Sequence, residues 1–549
     1  MAARAGSPRA ATDPALLDRP ALAAGVEVIA PGEPGAPWVI RRGAGYLRVG
    51  ADLGRLAAGL DGHADRATLA DRLGPPWSPE AVELAVDRLG SAGLLDDGRT
   101  RPAATARRVV FVPPLSVQLT LVRPGRGMQR LARVVPSLAD HRTRSVVVAV
   151  VALGLLALVM QGGALVEALS TPVPWQSVVL LVLAAGAATT VHEVSHGVAL
   201  VHEGGRPSRM GWMLFYLMPA MFCDVSDAWR LPRPAQRVRV ALAGVLTQAV
   251  IGAVSALAAG LPVPGPVRDW LLVFAAGSYA VGLLNLVPLV KLDGYIALMT
   301  HLDRPNLRAL CIDWARATTA WALLGGGRPV RPAGVPRWGA AFGWASVLFP
   351  WYLALTVLGL YVGLLSRTGP LGVAVLVVGA VYLAALVVQG AVRLVAAGRR
   401  NGARPGRTAA ALTAVAAVVA VGLTTVRLPL AVPGAYVAVD GRLLFAVPEG
   451  VGVPRIDPGA PVEVAQAGLV LTRTRATGQV VGPVDGLVDA PAAAFLPVTV
   501  TSDVTLPAQA WEVRLDGGRR PDDGAAVVDA GLRPLGQWLY LTYIAAGFE

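Results

Sequence analysis

At 549 residues the chain has room for several domains, and hydrophobic residues at 54%, charged residues at 15% and a mean hydropathy of +0.54 exclude an ordinary soluble enzyme and place it among polytopic membrane proteins. The formal net charge of +13 is carried almost wholly by arginine, with Lys291 the only lysine, and in a membrane protein such a surplus sets topology and touches anionic lipid rather than nucleic acid. Two cysteines, Cys223 and Cys311, sit in unrelated apolar contexts and exclude a disulfide framework or a cysteine-rich metal site.

Residues 1–23 read as disordered, and without a continuous apolar core they predict no cleavable signal peptide. Residues 24–97 read as a globular domain. Val26 to Ile29, Trp38 to Arg41 and Tyr46 to Val49 predict short strands, with Gly43-Ala44-Gly45 as a turn, and helices follow near 51–60, 66–73 and 79–93. A hairpin followed by three helices is a winged-helix arrangement. Residues 98–143 are an Arg- and Pro-rich connector.

Seven apolar segments follow, near 145–168, 177–201, 237–261, 270–290, 341–366, 371–396 and 408–426, each about the ~20 residues that a spanning helix needs. Arginines crowd the stretches before the first span, between the second and third, between the fourth and fifth, and before the seventh. The alternate loops at 169–176, 262–269 and 367–370 are nearly bare. The positive-inside rule then puts the N-terminus in the cytoplasm and the C-terminus outside. Met210 to Phe222 is apolar but too short to cross and reads as a re-entrant or interfacial element, with an edge that an extended peptide could join. Residues 429–549, rich in Val, Pro, Gly and Asp with short β-prone runs, read as a small extracytoplasmic β-rich domain.

The chemistry is concentrated in Val191-His192-Glu193-Val194-Ser195-His196, inside the second span. On a helix, His192 and His196 share one face, so both imidazoles reach one ion, and Glu193 is placed to act as a base toward water at that ion. Zinc lowers the pKa of such a water to about 7, which makes hydroxide available at neutral pH. With six histidines in the chain, an accidental match has odds of roughly a few in a thousand. Ionisable residues at membrane depth are costly and therefore functional by default.

Two residues compete for the third ligand position. His202 lies ten residues after His192, but in an uninterrupted helix it is about 9 Å beyond His196 and on another face. Asp293 lies in Asn285-Leu286-Val287-Pro288-Leu289-Val290-Lys291-Leu292-Asp293-Gly294-Tyr295, at the cytoplasmic end of the fourth span. The second span runs in the same direction and carries His192 about 22 Å along its length, toward the same side. Asn285 is a candidate for holding substrate backbone or a developing oxyanion, or for hydrogen bonding between helices. Asp224 and Asp227 read as helix caps at the membrane edge, and Lys291 as a topology anchor.

The pair His-Glu-Val-Ser-His and Asn-x-x-Pro-x-x-x-Leu-Asp-Gly resembles the site-2 protease family of intramembrane zinc metalloproteases. Lys291-Leu292-Asp293-Gly294-Tyr295, with Pro219 and Asp224 to Trp229, is similar to its branch of peptide zinc metalloproteases from modified-peptide gene clusters, the daptide type included. The resemblance covers about 107–400. It implies one Zn2+ held by His192, His196 and Asp293, with Glu193 as the catalytic base. The family's frequent doubled glycine after the aspartate is Gly294-Tyr295 here.

Residues 25–97 resemble the PqqD-like domain that binds leader peptides of ribosomally made, post-translationally modified peptides. The resemblance rests on Gly45 to Val49, Leu56 to Gly62 and Leu89 to Leu95, and it implies a leader that adds as a strand beside the hairpin. Asp52, Asp61, Asp65, Asp71, Glu80, Glu83 and Asp87 offset the arginines here, which argues against a DNA reader. An inert scaffold is the plainer alternative.

The expected architecture is an α-helical polytopic membrane protein of about seven transmembrane helices. It has a site-2-protease-like core at 144–428, the cytoplasmic α+β head, and the β-rich tail outside the cell membrane. The expected activity is zinc endopeptidase cleavage of a precursor peptide, removing its leader, with membrane lipid and an export protein of the same cluster as further partners and no nucleic acid. The alternatives are regulated intramembrane proteolysis of an anti-sigma factor, and a non-catalytic export or immunity protein.

Overall fold

The computed structural model describes the chain apart from residues 1–17, 32–37, 43–44, 97–107, 113–115, 216–217, 366–369, 440, 450–452, 496–497, 500–503, 519–522 and 544–549. It divides into two compact units, residues 1–147, 189–247 and 296–303 forming one and residues 148–188, 248–295 and 304–549 the other. Among the described residues six helices are long and apolar enough to cross a bilayer.

The first unit begins with an α+β head. β1 (Val26–Ile29), β2 (Trp38–Arg42) and β3 (Gly45–Val49) pair antiparallel in that order, and α1 (Ala51–Ala58), α2 (Arg66–Leu73) and α3 (Pro79–Ser91) follow. Gly43 and Ala44 of the expected turn lie outside the described residues. The Asp65 carboxylate accepts from Thr68 N–H at 2.8 Å to cap α2, and the Ser78 hydroxyl accepts from Ala81 N–H at 3.2 Å to cap α3. α1 and α3 stop two residues earlier than the sequence predicts, where glycines follow; Gly93 adopts φ +72°. Ile40, Leu56, Leu69, Val82, Val86 and Leu89 form the head's core. Gly54 on α1 is obligatory: a Cβ there would lie 2.2 Å from the Trp38 ring on β2. Ala21 and Leu22, expected in a disordered leader, instead bridge to Asp61 and Leu95.

The stretch expected to be a plain connector forms β4 (Val109–Val112), β5 (Ser116–Val122) and α4 (Gly125–Val134). β5 alternates apolar with polar side chains (Val117, Leu119, Leu121 against Gln118, Thr120), the period-2 pattern of a strand. α5 (His141–Met160), α6 (Gly162–Ser170), the short β6 (Val173–Pro174) and α7 (Trp175–His202) come next. The element expected at 210–222 is a hairpin, β7 (Met210–Phe215) and β8 (Met218–Cys223), and it completes a four-stranded sheet in the order β4-β5-β7-β8.

The chain continues through α8 (Pro234–Ala259), α9 (Gly265–Leu286), α10 (Asp293–His301), α11 (Leu307–Leu324), α12 (Gly339–Leu365), α13 (Pro370–Arg400) and α14 (Pro405–Thr425). The six membrane-length apolar helices are α5, α7, α8, α9, α13 and α14. The fifth expected span, 341–366, corresponds to α12, a 27-residue helix with Pro350 inside it that is not among the six. Within the second unit Gly154 lets α5 close on α8, where a Cβ would fall 2.3 Å from Ala253 Cα, and Tyr279 of α9 donates its hydroxyl to Val151 O at 3.3 Å.

The tail is β9 (Arg427–Val439), β10 (Arg442–Pro448), β11 (Pro461–Ala467), β12 (Thr472–Pro491), β13 (Val498–Thr499), β14 (Thr505–Gly518) and β15 (Asp523–Pro534), followed by α15 (Leu535–Tyr543). β10-β14-β12-β11-β15-β9 close into a barrel around Tyr436, Phe445, Val464, Val480 and Val528, and closure leaves no free edge. β13 pairs in parallel with β6, and the Val470 and Leu471 N–H groups donate to Leu169 O at the α6 end, at 3.3 and 2.9 Å.

In the first unit one carboxylate ties the head to the helices. Asp303, in a left-handed turn at φ +47°, accepts from Arg237 Nη2 at 2.8 Å and from Arg48 Nη1 of β3. Arg237 is itself buried, donates to Leu231 O at 2.7 Å and lies over the Trp229 ring. Asp303→Asn is expected to weaken this junction by about 1–2 kcal/mol, the half-exposure of Asp303 discounting the cost of a fully buried pair. Amide exchange should then rise in β3 and residues 226–230 while the Leu56–Val82 core of the head stays protected.

Candidate metal centre

The centre is built on the C-terminal half of α7. Helical spacing puts His192 and His196 one turn apart on one face, and both are buried to 4% exposure. Their rings meet edge to face at 78°, with the two Nε2 atoms 3.3 Å apart. Zinc–nitrogen bonds of about 2.0–2.1 Å at a tetrahedral angle place two ligand nitrogens roughly 3.3–3.4 Å apart. The observed separation is compatible with two ligands sharing one ion.

Neighbouring elements set this geometry. His196 Nδ1–H donates to Val240 O of α8 at 2.8 Å, which fixes the ring's orientation and leaves Nε2 as the lone-pair nitrogen. One turn further along α8 stands Gly244. A Cβ at that position would fall 2.4 Å from Nε2 of both histidines. The space that the two nitrogens address exists because residue 244 has no side chain. Ser195 donates its hydroxyl back to His192 O at 2.6 Å, a bond that leaves the helix intact.

Glu193 projects toward the sheet. Its Oε2 accepts the Cys223 backbone N–H, at the end of β8, at 2.8 Å. His192, Glu193 and His196 each bring one donor atom within 4.8 Å of the others, a group able to hold a metal ion. Gly197, next on the helix, allows this close approach: a Cβ there would press on Met128 of α4 at 3.0 Å and on the Cys223 sulfur at 3.3 Å. Burial, then the nearby Glu193 and Asp224 carboxylates, push the Cys223 thiol up to about 12, and its sulfur is not part of the metal-competent group.

The other residues singled out in the sequence have distinct placements. His202 donates Nε2–H to Ala132 O at 2.8 Å and is outside the metal-competent group. Asp293 is the first residue of α10, in the second unit. Its segment is tightly held: a Cβ on Gly294 would lie 2.0 Å from Leu286 O, and Arg308 donates to Leu289 O at 3.0 Å and Ser346 O at 2.7 Å. Asn285 donates to Val281 O at 3.1 Å, one turn back on its own helix. Asp224 and Asp227 organise the loop after α7 rather than capping a long helix. Asp224 accepts from Ser208, Arg209 and Ser226, and Asp227 accepts from Arg206 N–H at 2.8 Å. Burial pushes the Asp224 carboxyl up, but the hydrogen bonds from Ser226, Ser208 and Arg209 outweigh it and hold it below its ordinary value. Gly244, Val240 O and Cys223 N–H were not legible as parts of the site. A lone glycine in a span reads as a packing position, and backbone groups carry no sequence signal.

Comparison with protein-family models, curated proteins and solved structures finds no match to this chain.

Gly244→Ala tests the metal centre directly. The added methyl cannot coexist with both Nε2 positions, so the purified variant should lose stoichiometric zinc by elemental analysis while Gly252→Ala, on the same helix but away from the histidines, retains it. Full zinc occupancy in Gly244→Ala would mean that the ion does not sit between these nitrogens.

Proposed function

We propose that the protein is an intramembrane zinc endopeptidase that removes the leader from a modified precursor peptide. The observation that carries this reading is the pair of buried Nε2 atoms 3.3 Å apart, facing a gap kept open by Gly244, with Glu193 beside them. His192 and His196 would hold the ion, with Asp293 the third ligand that the family resemblance assigns. A zinc ion so held supplies Lewis acidity to the scissile carbonyl and to water. The chain's own groups do the rest. The Cys223 N–H orients the Glu193 carboxylate, which takes a proton from the attacking water and delivers it to the leaving amine. β8 is an edge strand whose last residue contacts Glu193, so a peptide added along it lies extended at the site, which a helical substrate could not do. The head, with its three-stranded sheet, is assigned to leader recognition on the strength of its resemblance.

Chain parity supports a seven-span topology. The β6–β13 pairing and the Leu471–Leu169 hydrogen bond join the barrel to the loop between α5 and α7, which supports reading both on one side of the membrane. An even number of crossings must separate them. α7, α8, α9, α13 and α14 make five, and we take α12, which is long enough, as the sixth. Likewise Arg48 of the head reaches Asp303, with α5, α7, α8 and α9 between them. With the arginine-rich loops facing the cytoplasm, the head is inside and the barrel outside.

Glu193→Gln keeps both imidazoles and removes the base. It should retain zinc, slow cleavage of the precursor by about 10³-fold, in the range for loss of a general base, and accumulate the uncut peptide as a co-purifying complex identifiable by mass spectrometry. Unchanged precursor maturation in cells carrying only this variant would exclude the protease reading.

A further inference from the structure

We propose that α15 is an interfacial helix, lying in the headgroup region of the leaflet at which α14 ends and anchoring the barrel to lipid. The register of the barrel brings the chain back to the membrane boundary. β9 begins at Arg427, just beyond α14, and Pro534 at the end of β15 pairs with that residue. Leu535 then donates its N–H to Val426 O at 2.7 Å. A Cβ on Gly536 would lie 3.3 Å from Leu423 O, so the first turn of α15 packs on the last turn of α14. α14 is of membrane length, and α15 therefore starts at the depth where that helix leaves the apolar layer.

The chemistry of α15 suits that depth. Leu535 to Tyr543 holds no charged residue, and three of its nine residues are Trp or Tyr, whose amphipathic rings favour the boundary between acyl chains and water. Gly536, Leu539 and Tyr540 share one helix face at spacings of three and four residues. The face that begins against Leu423 thus runs on into two exposed side chains, Leu539 and Tyr540, the latter 53% exposed. Gln537 is exposed as well, but at about 100° per residue it stands roughly 160° around the helix from Leu539. The exposed side of α15 therefore grades from Leu539 through Tyr540 to Gln537, from apolar to polar, as a helix lying in an interface requires. Trp538 is turned to the foot of the barrel, where its Nε1–H donates to Pro429 O at 3.2 Å.

The neighbouring surface identifies what covers this face. Val415, Val418, Val419 and Val421 of α14 are exposed, Val418 to 72%, and a membrane-length helix of that composition presents such side chains to hydrocarbon. The hydroxyls of Thr424 and Thr425 donate to Ala420 O and Val421 O at 2.9 and 2.7 Å, so both are satisfied inside the helix, as lipid demands. Val426 is exposed next to them, and Gly536, Leu539 and Tyr540 follow. The face of α15 continues a surface that already belongs to lipid. Together with the N–H groups of Val470 and Leu471 on Leu169 O, lipid contact at α15 gives the barrel a second fixed support. On the seven-span reading the leaflet is the outer one; the docking rests neither on that reading nor on the protease reading.

The test uses full-length protein in phosphatidylcholine nanodiscs. Nitroxide labels are placed through Leu539→Cys, Tyr540→Cys and Gln537→Cys, with Arg442→Cys at the far end of β9 as a reference and the unmodified chain as the labelling blank. Labels at 539 and 540 should collide with oxygen in preference to a water-soluble nickel chelate, and position 442 should show the reverse. Position 537 should admit more nickel than 539. Nickel preference at 539 or 540 means that the face stands in water. Shielding of either from both reagents means that protein, whether a partner or a second copy, covers it. An oxygen preference at 537 as strong as at 539 means that the helix is immersed rather than interfacial. Each of these results overturns the proposal. If the cysteine variants do not fold, photolysis of a diazirine phospholipid with the unmodified protein decides the matter: adducts within 535–543 support docking, and their absence while α14 is labelled overturns it.

Discussion

Two imidazoles buried in the wall of a bilayer must have their polar atoms accounted for, and that requirement organises the surrounding structure. Each ring nitrogen taken out of water costs free energy unless it is bonded, and hydrocarbon offers no substitute. Val240 O satisfies Nδ1 of His196, and the two Nε2 atoms turn to a shared space at Gly244. α8 therefore supplies both the hydrogen-bond acceptor that sets one ring and the missing side chain that leaves room for an ion. The two roles fall four residues apart on one helix face, so a single helix–helix contact meets both.

The Glu193 carboxylate is handled differently. Glu193 leaves the helix bundle and is met by backbone from a sheet, through Cys223 N–H. A backbone donor cannot be protonated away and has no rotamer to lose, so it holds a carboxylate in place without fixing its charge. The Cys223 side chain, packed between α4 and Gly197, stays a neutral thiol and adds bulk alone. The Asp224 and Asp227 side chains then hold the loop from α7 to β7, so the strand that orients Glu193 is braced by hydrogen bonds from Ser208, Arg209 and Arg206.

The two ends of the protein are attached through different physics. The head is joined to the helices by one half-exposed carboxylate shared between Arg48 and the buried Arg237, an electrostatic contact of modest strength. The barrel closes on itself and meets the loop before α7 through backbone pairing at β6 and β13. A closed barrel offers no edge for recognition, whereas the head sheet and β8 keep edges.

Local patterns were readable without a fold. The His-Glu-x-x-His spacing is a property of one helix, so His192, Glu193 and His196 come together whatever surrounds them. The strands and helices of the head follow from alternation and from caps such as Asp65 and Ser78, and the long apolar runs follow from bilayer thickness. What the sequence could not disclose depends on contacts between distant segments. That β5 lies beside β7, that Gly244 stands opposite two imidazoles, that a backbone N–H from residue 223 reaches Glu193, and that Asp303 serves two arginines nearly two hundred residues apart are all outcomes of packing. A glycine announces only an absence, and a peptide N–H is the same at almost every position; tertiary structure alone gives either of them a task.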